Sequence, residues 1–239
     1  MLIIAEIGIN HNGNINLAHE LIKQARENGA DIAKFQFYDP AKIFGPNGSH
    51  PDEENYKFAL RVQFDFEQAR QLKQWCDYEG IELMASVFDE ERFEWMETLG
   101  VNRYKIASRT VENKDVCRKI LKTRKETFIS LGLWRGRGVP YETDNAKYLY
   151  CVTKYPCAHT DVHMPSNFNT SDYCGFSDHT VGIETALVAI ARGASVIEKH
   201  FTLNKGLEGP DHICSMIPEE LNILAKYGRR IEQFVKLKQ

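Results

Sequence analysis

The chain of 239 residues contains no run of eighteen apolar residues and no basic leader; it opens directly into a strand-like segment at 2–9. Neither a membrane span nor a signal peptide is expected. It also has no excess of one charge. Against 33 Asp and Glu stand 30 Lys and Arg, a net charge of −3 with no basic cluster to attract nucleic acid. Its six cysteines (Cys76, Cys117, Cys151, Cys157, Cys174, Cys214) form no Cys-x-x-Cys pair. Several fall inside apolar segments, so reduced thiols in a cytoplasmic protein are expected rather than a disulfide frame. No internal repeat or low-complexity linker divides the sequence, and 43% hydrophobic residues are enough for one full core. Gly-x-Gly-x-x-Gly is missing after the first strand, since Gly8 and Gly13 are wrongly spaced for a dinucleotide fingerprint.

What is present is alternation. Strand-like runs at 2–10, 31–38, 81–88, 101–108, 127–132, 147–153, 173–179 and 196–202 are each nearly continuously apolar. Helical patterns lie between most of them: Leu17, Leu21 and Ala25 before Asn28-Gly29, then 66–78, 90–99, 114–122, and Ile183, Leu187, Ile190. Residues 39–64 read as a long loop with turn signatures at Pro46-Asn47-Gly48 and His50-Pro51. Arg135–Gly138 is a basic loop, and 157–172 lacks the period of a full helix. A last helix starts at Pro218 with Leu221, Leu224, Ile231 and Phe234 on one side. Eight such strands with interleaved helices predict an α/β fold, a (β/α)8 TIM barrel forming a single domain over 1–239. The runner-up is an open doubly wound sheet.

A barrel builds its site at the carboxyl ends of its strands. Side chains two apart share a face, which groups Glu6 with Gly8 and Asn10, Lys34 with Gln36, and Ser86 with Phe88. The same rule groups Ser177 with His179, Glu198 with His200, and Thr153 with Tyr155. Lys105 lies on the fourth strand with Ser108 at its end, and Ser130 on the fifth. Strand–helix–strand makes the last two strands adjacent and parallel, so His179 and His200 emerge at one edge like a metal-binding pair. A lysine inside a barrel strand needs an anion. Lys34 and Lys105 among serines therefore suit a phosphate and a carboxylate, with the dihistidine opposite: an anionic phosphorylated small molecule beside a divalent metal.

Ile-Ala-Glu-Ile-Gly-Ile-Asn-His-Asn-Gly (4–13), Ala-Lys-Phe-Gln (33–36), Tyr-Lys-Ile-Ala-Ser (104–108), Gly-Phe-Ser-Asp-His-Thr (175–180), Glu-Lys-His-Phe-Thr (198–202) and Gly-Pro-Asp-His (209–212) resemble the sialic acid synthase family in order and over essentially the whole chain. The resemblance implies a cytoplasmic transferase of carbohydrate biosynthesis. Such an enzyme condenses phosphoenolpyruvate with an open-chain amino-sugar aldehyde and releases phosphate. It assigns a divalent metal, normally Mn2+ with Mg2+ or Co2+ as alternatives, to His179 and His200. It places the phosphate at Lys34, Lys105, Ser108, Ser130 and Ser177, and the carboxylate and enol beside Ser86 and Phe88. Glu6, Gln36, Tyr155 and Asp211 match positions that face the sugar. The catalytic set it implies is Glu6, Lys105, Tyr155, His179 and His200.

Three departures accompany the resemblance. A glutamate common in relatives is Thr110 here, after Arg109, and a common asparagine is Thr153, a substrate-facing position. The C-terminal antifreeze-like domain of relatives does not follow Gln239, so a different aldehyde or a separately encoded cap is expected; the resemblance also implies a homodimer, although part of the family's dimer contact comes from that domain. Arg109 is read as either a cation for an acidic or phosphorylated acceptor or an outward salt-bridge residue. His11 and His212 orient loops or touch substrate, whereas His19, His50, His159 and His163 are surface histidines. Trp75, Phe93 and Trp95 are packing residues, and 89–92 and 135–137 solvated runs. Two rival functions stay open. One is a non-catalytic, anion-binding scaffold barrel; the other is a metal-dependent hydrolase, disfavoured because His-x-His is missing from the first strand.

Overall fold

The structure, a computed structural model, describes residues 1–44 and 53–237. Eight parallel strands close into one barrel in sequence order: β1 (Leu2–Gly8), β2 (Ile32–Phe37), β3 (Glu82–Val87), β4 (Arg103–Ile106), β5 (Glu126–Ser130), β6 (Ala146–Cys151), β7 (Tyr173–Asp178) and β8 (Val196–His200). Closure is through β1 and β8, where Ile4 faces Glu198 and Glu6 faces His200. The open-sheet alternative is thereby excluded.

Helices pack outside the wall, and local chemistry sets their ends. In α1 (Ile15–Glu27) the Asn14 side chain accepts from the amides of Asn16 and Leu17. Asp65 and Gln68 form a reciprocal capping box at α4 (Phe66–Glu79), which Gly80 ends in the left-handed region at φ +71. Asp89 caps α5 (Glu90–Leu99). Asn113 caps α6 (Lys114–Lys122), and α7 (Glu184–Ala191) follows β7. The last helix, α8 (Pro218–Lys236), starts on Pro218.

The long loop expected at 39–64 is corrected by two helices, α2 (Pro40–Phe44) and α3 (Glu53–Val62). The turn signatures at 46–48 and His50-Pro51 lie outside the described residues. Alternation of Tyr38, Ala59 and Val62 with charged residues hid a short amphipathic packing unit, whose apolar side forms its own small cluster. Between β6 and β7 only two 3-10 turns form, His159–Asp161 and Phe168–Thr170, as the weak periodicity implied. Phe234 is 65% exposed, so the apolar side of α8 ends earlier than its spacing suggested. Asp89 and Arg92 are buried, not solvated, because the aspartate caps α5 and also pairs with the guanidinium. Arg135 and Arg137 are exposed as expected, and Trp75, Phe93 and Trp95 pack on the core.

The barrel interior explains why a site exists. Ile4, Ile32, Met84, Phe128, Leu149 and Val196 form a separate apolar cluster that plugs the lower barrel. Two residues further along those strands stand Glu6, Lys34, Ser86, Ser130, Cys151 and Glu198. Because side chains alternate, each of these faces inward one layer above the plug. The period-2 pattern thus switches from hydrocarbon to polar or ionisable groups within one step on six of the strands. Gly175 occupies the equivalent place on β7, where an added Cβ would stand 2.1 Å from the Val196 carbonyl; its lack of a side chain lets β7 close on β8.

Candidate active site

Above the plug lies a small pocket of about 60 Å3. Glu6, Lys34, Gln36, Ser86, Lys105, Ser108, Ser130, Tyr155, Ser177, His179 and His200 all line it. It opens into a mouth of about 420 Å3, shared by Gln36, Ser108, Tyr155 and His200 and extended by Phe88, Thr153, Asp211 and Arg109. Every site residue expected from the sequence therefore lines one or the other. A larger cleft of about 940 Å3 sits at the opposite rim, between the start of β6 and the end of α6. Its walls mix both charge signs, and it holds none of these groups.

The floor is an ion-pair chain. Lys34 Nζ stands 2.9 Å from Glu6 Oε2 and 3.4 Å from Glu198 Oε2, and it donates to Ser86 Oγ at 3.0 Å. Lys105 Nζ lies 3.4 Å from Glu198 Oε1, which also accepts from Ser177 Oγ at 2.8 Å. The two lysines are thus held by the protein's own carboxylates, a role for Glu198 that sequence reading missed. Its signal was present, since Glu198 shares the inward face of β8 with His200. Burial opposes charge on both lysines. Glu198 and Glu6 outweigh it at Lys34, whose pKa is raised, whereas at Lys105 burial prevails and the pKa is lowered. Burial likewise resists ionisation of Glu198, but Lys105 and Lys34 bring its pKa down to about 2.

Gln36 Nε2 donates to Glu6 Oε1 at 2.8 Å, fixing that carboxylate between floor and mouth. Gly8, with φ +54, ends β1 just above it, so Asn10 leaves the strand. Asn10 instead donates to the Phe201 carbonyl and Ser215 Oγ, tying the β1 end to the segment after β8. Ser108 belongs to a 3-10 turn, Ser108–Thr110, and bridges the Ser130 carbonyl to the Leu133 amide. Thr110 is buried behind it, with its hydroxyl unpartnered. Arg109 is exposed, lines the mouth and forms no ion pair among the described residues.

The two imidazoles lie with ring centroids 5.5 Å apart, and Tyr155 packs 4.2 Å from the His179 ring. His179 Nδ1 donates to the Val152 carbonyl at 2.8 Å, which fixes its tautomer and leaves Nε2 with a free lone pair. Burial, then the neighbouring His200, depresses the His179 pKa to about 3, keeping the ring neutral as ligation requires. His200 Nδ1 is buried without a hydrogen-bond partner, 3.7 Å from Asp211 Oδ2. Among the described residues no group of three or more His, Cys, Asp or Glu converges as a closed metal cage. Two adjacent imidazoles, one with a nitrogen that has no hydrogen-bond partner among the described residues, still fit a divalent ion that takes its remaining ligands from water and substrate. With its two ammonium and two carboxylate groups the floor is neutral, so a dication there would supply the charge a polyanionic substrate needs.

His212 bonds Thr202 Oγ1 and faces Asn12, and so orients the loop that carries Asp211. His11 is buried and stacks 4.2 Å from Phe64, a packing role. His19, His159 and His163 lie outside both cavities. Burial lowers the His11 pKa to about 3. The unfolded chain takes up this proton near pH 6.5 while the fold refuses it, so stability is full above that pH and falls toward pH 3. His11→Asn is expected to flatten the acid limb by one proton. In urea titrations the loss between pH 7 and pH 5 should shrink by about 2 kcal/mol.

Comparison with known proteins agrees with the barrel. The chain is 33% identical to the N,N'-diacetyllegionaminic acid synthase of Legionella pneumophila over 96% of its own length and 72% of that protein's. It is 32% identical to the human N-acetylneuraminate-9-phosphate synthase, covering 97% of this chain and 70% of the relative. The crystal structure of N-acetylneuraminic acid (sialic acid) synthetase from Leptospira borgpetersenii superposes with a TM-score of 0.88 at 30% identity, over 98% of this chain and 84% of that one. These relatives are sugar-acid synthases. Residues 21–239 match the NeuB family, and the chain belongs to it.

Proposed function

We propose that this protein condenses phosphoenolpyruvate with an open-chain amino-sugar aldehyde, giving a sialic-acid-like 2-keto-3-deoxy sugar acid and phosphate. The observation that carries the reading is the convergence of two buried lysines, unpartnered serine and histidine polar atoms, and two imidazoles on one pocket beneath an acceptor-sized mouth.

Lys34, Lys105 and the hydroxyls of Ser86, Ser108, Ser130 and Ser177 hold the phosphate and carboxylate of the enol acid. Lys105 is the more exchangeable cation, since it shares its single carboxylate partner with Lys34. Phe88 bounds the enol, and Gln36, Thr153, Tyr155 and Asp211 position the acceptor aldehyde in the mouth. A divalent ion, manganese first with magnesium or cobalt in its place, held by His179 and His200, would polarise the aldehyde oxygen. The enol C3 bonds to the aldehyde carbon, whose oxygen takes a proton from the water that adds at C2; the resulting C2 hydroxyl gives its proton to the phosphate as the C2–O bond breaks, leaving the ketone and free phosphate. Glu6, held by Gln36 and Lys34, faces this centre as the carboxylate placed to handle the proton. Fixed ammonium groups stabilise the departing phosphate.

Reduced buried cysteines fit a cytoplasmic setting. A homodimer partner or separately encoded cap would close the open rim beside Arg109. The test is phosphate release from phosphoenolpyruvate with Mn2+ and a panel of N-acetylated and neutral aldoses. Release that depends on one sugar is expected. Binding of phosphoenolpyruvate without release for any sugar would favour the scaffold reading, for which Thr110 and Thr153 are the motive.

A further inference from the structure

The two histidines belong to matched dipeptides, Asp178-His179 and Lys199-His200, and the β7–β8 register sets Asp178 opposite Lys199. Alternation sends the imidazoles into the barrel and the two charges out toward the helix layer. There they form an ion pair of 3.1 Å with both side chains fully buried.

The surroundings are ordered around that pair. Lys199 Nζ also donates to the Thr180 carbonyl at 2.6 Å. Asp178 Oδ1 accepts from the Thr180 amide and hydroxyl, and Oδ2 accepts from Thr185 Oγ1 on α7. The residues on either side of His179 are therefore both anchored to the residue preceding His200. Of these groups only Lys199 is among the residues that line the pocket, and its ammonium is turned to Asp178 and the Thr180 carbonyl. A buried ion pair is a poor stabiliser, since apolar replacement is often neutral. What it supplies is a fixed relation between two strand ends.

We propose that Asp178 and Lys199 are positioning residues that hold His179 and His200 at ligating separation. The inference rests on the reading of those histidines as the metal pair. Its test compares wild type with Asp178→Asn/Lys199→Met by calorimetric titration with Mn2+ alone, by metal-free phosphoenolpyruvate binding, and by thermal unfolding. The double variant is expected to fold, to bind Mn2+ at least about tenfold more weakly, as loss of groups that orient ligands does, and to keep its phosphoenolpyruvate affinity. Mn2+ affinity within twofold of wild type overturns the proposal, as does an equal fall in both affinities, which marks a general structural loss. Wild type that binds no Mn2+ overturns both this inference and the metal pair. If the double variant does not fold, Thr185→Val carries the test: it removes one donor to Asp178 and is expected to weaken Mn2+ binding about threefold, unchanged binding again overturning the proposal.

Discussion

His200→Ala is expected to lower turnover on the order of a thousandfold, the several kcal/mol of charge stabilisation lost with a Lewis acid. The barrel should survive this change. His200 has no hydrogen-bond partner at Nδ1 among the described residues. Its backbone contacts, including the bond from the Met216 amide to the His200 carbonyl, persist in alanine. Thermal unfolding should stay cooperative, with a loss of about 1–2 kcal/mol from removed packing. Sugar-dependent phosphate release measured beside the melting curve decides the matter. Full activity in a folded variant contradicts the metal assignment, whereas a collapsed fold would make His200 a structural residue.

Glu198→Gln is expected to have the largest effect on stability. The amide keeps the shape and can still accept from Ser177, but it removes the carboxylate that both lysines share. Lys34 retains Glu6; Lys105 retains no carboxylate within ion-pair distance among the described residues. Breaking one side of a buried pair strands the other charge, at about 3–5 kcal/mol. Because burial already lowers the Lys105 pKa against the pull of Glu198, removing that carboxylate should lower it further. Phosphoenolpyruvate affinity should then fall by about 10–100-fold, the loss of one charge-assisted contact. The pH dependence has a definite sign. A carboxylate whose pKa is brought down to about 2 stabilises the fold above about pH 4.5, and this contribution is lost as pH falls toward 2. Wild type and variant should therefore differ most in urea titrations at pH 7 and converge in acid. A difference that does not narrow below pH 4.5 would show that Glu198 acts through packing rather than charge.

Much of the site was legible because a barrel strand is a simple reader. Its two-residue period tells which side chains face inward, and eight strands in order bring those faces to one axis. Lys34, Lys105, Ser177, His179 and His200 could be placed together without coordinates on that ground. The helices at 40–44 and 53–62 were not legible. They are short, charged and stabilised by packing over the mouth rather than by a long apolar period. Nor was Asn10, because the left-handed turn at Gly8 ends the alternation that would have kept it beside Glu6.

The sequence by itself determined the barrel, the inward layer above the plug, and membership of both imidazoles and both lysines in one face. Each follows from local periodicity and chain order. Only the tertiary structure decided which charges neutralise which: that Glu198 bridges two lysines, that Asp178 pairs with Lys199 behind the histidines, and that Arg109 opens on the mouth. The reason is that pairing depends on distances of a few ångströms between strands that are remote in sequence. A Coulomb energy varies steeply there, while the hydrophobic pattern of each strand alone carries no information about it.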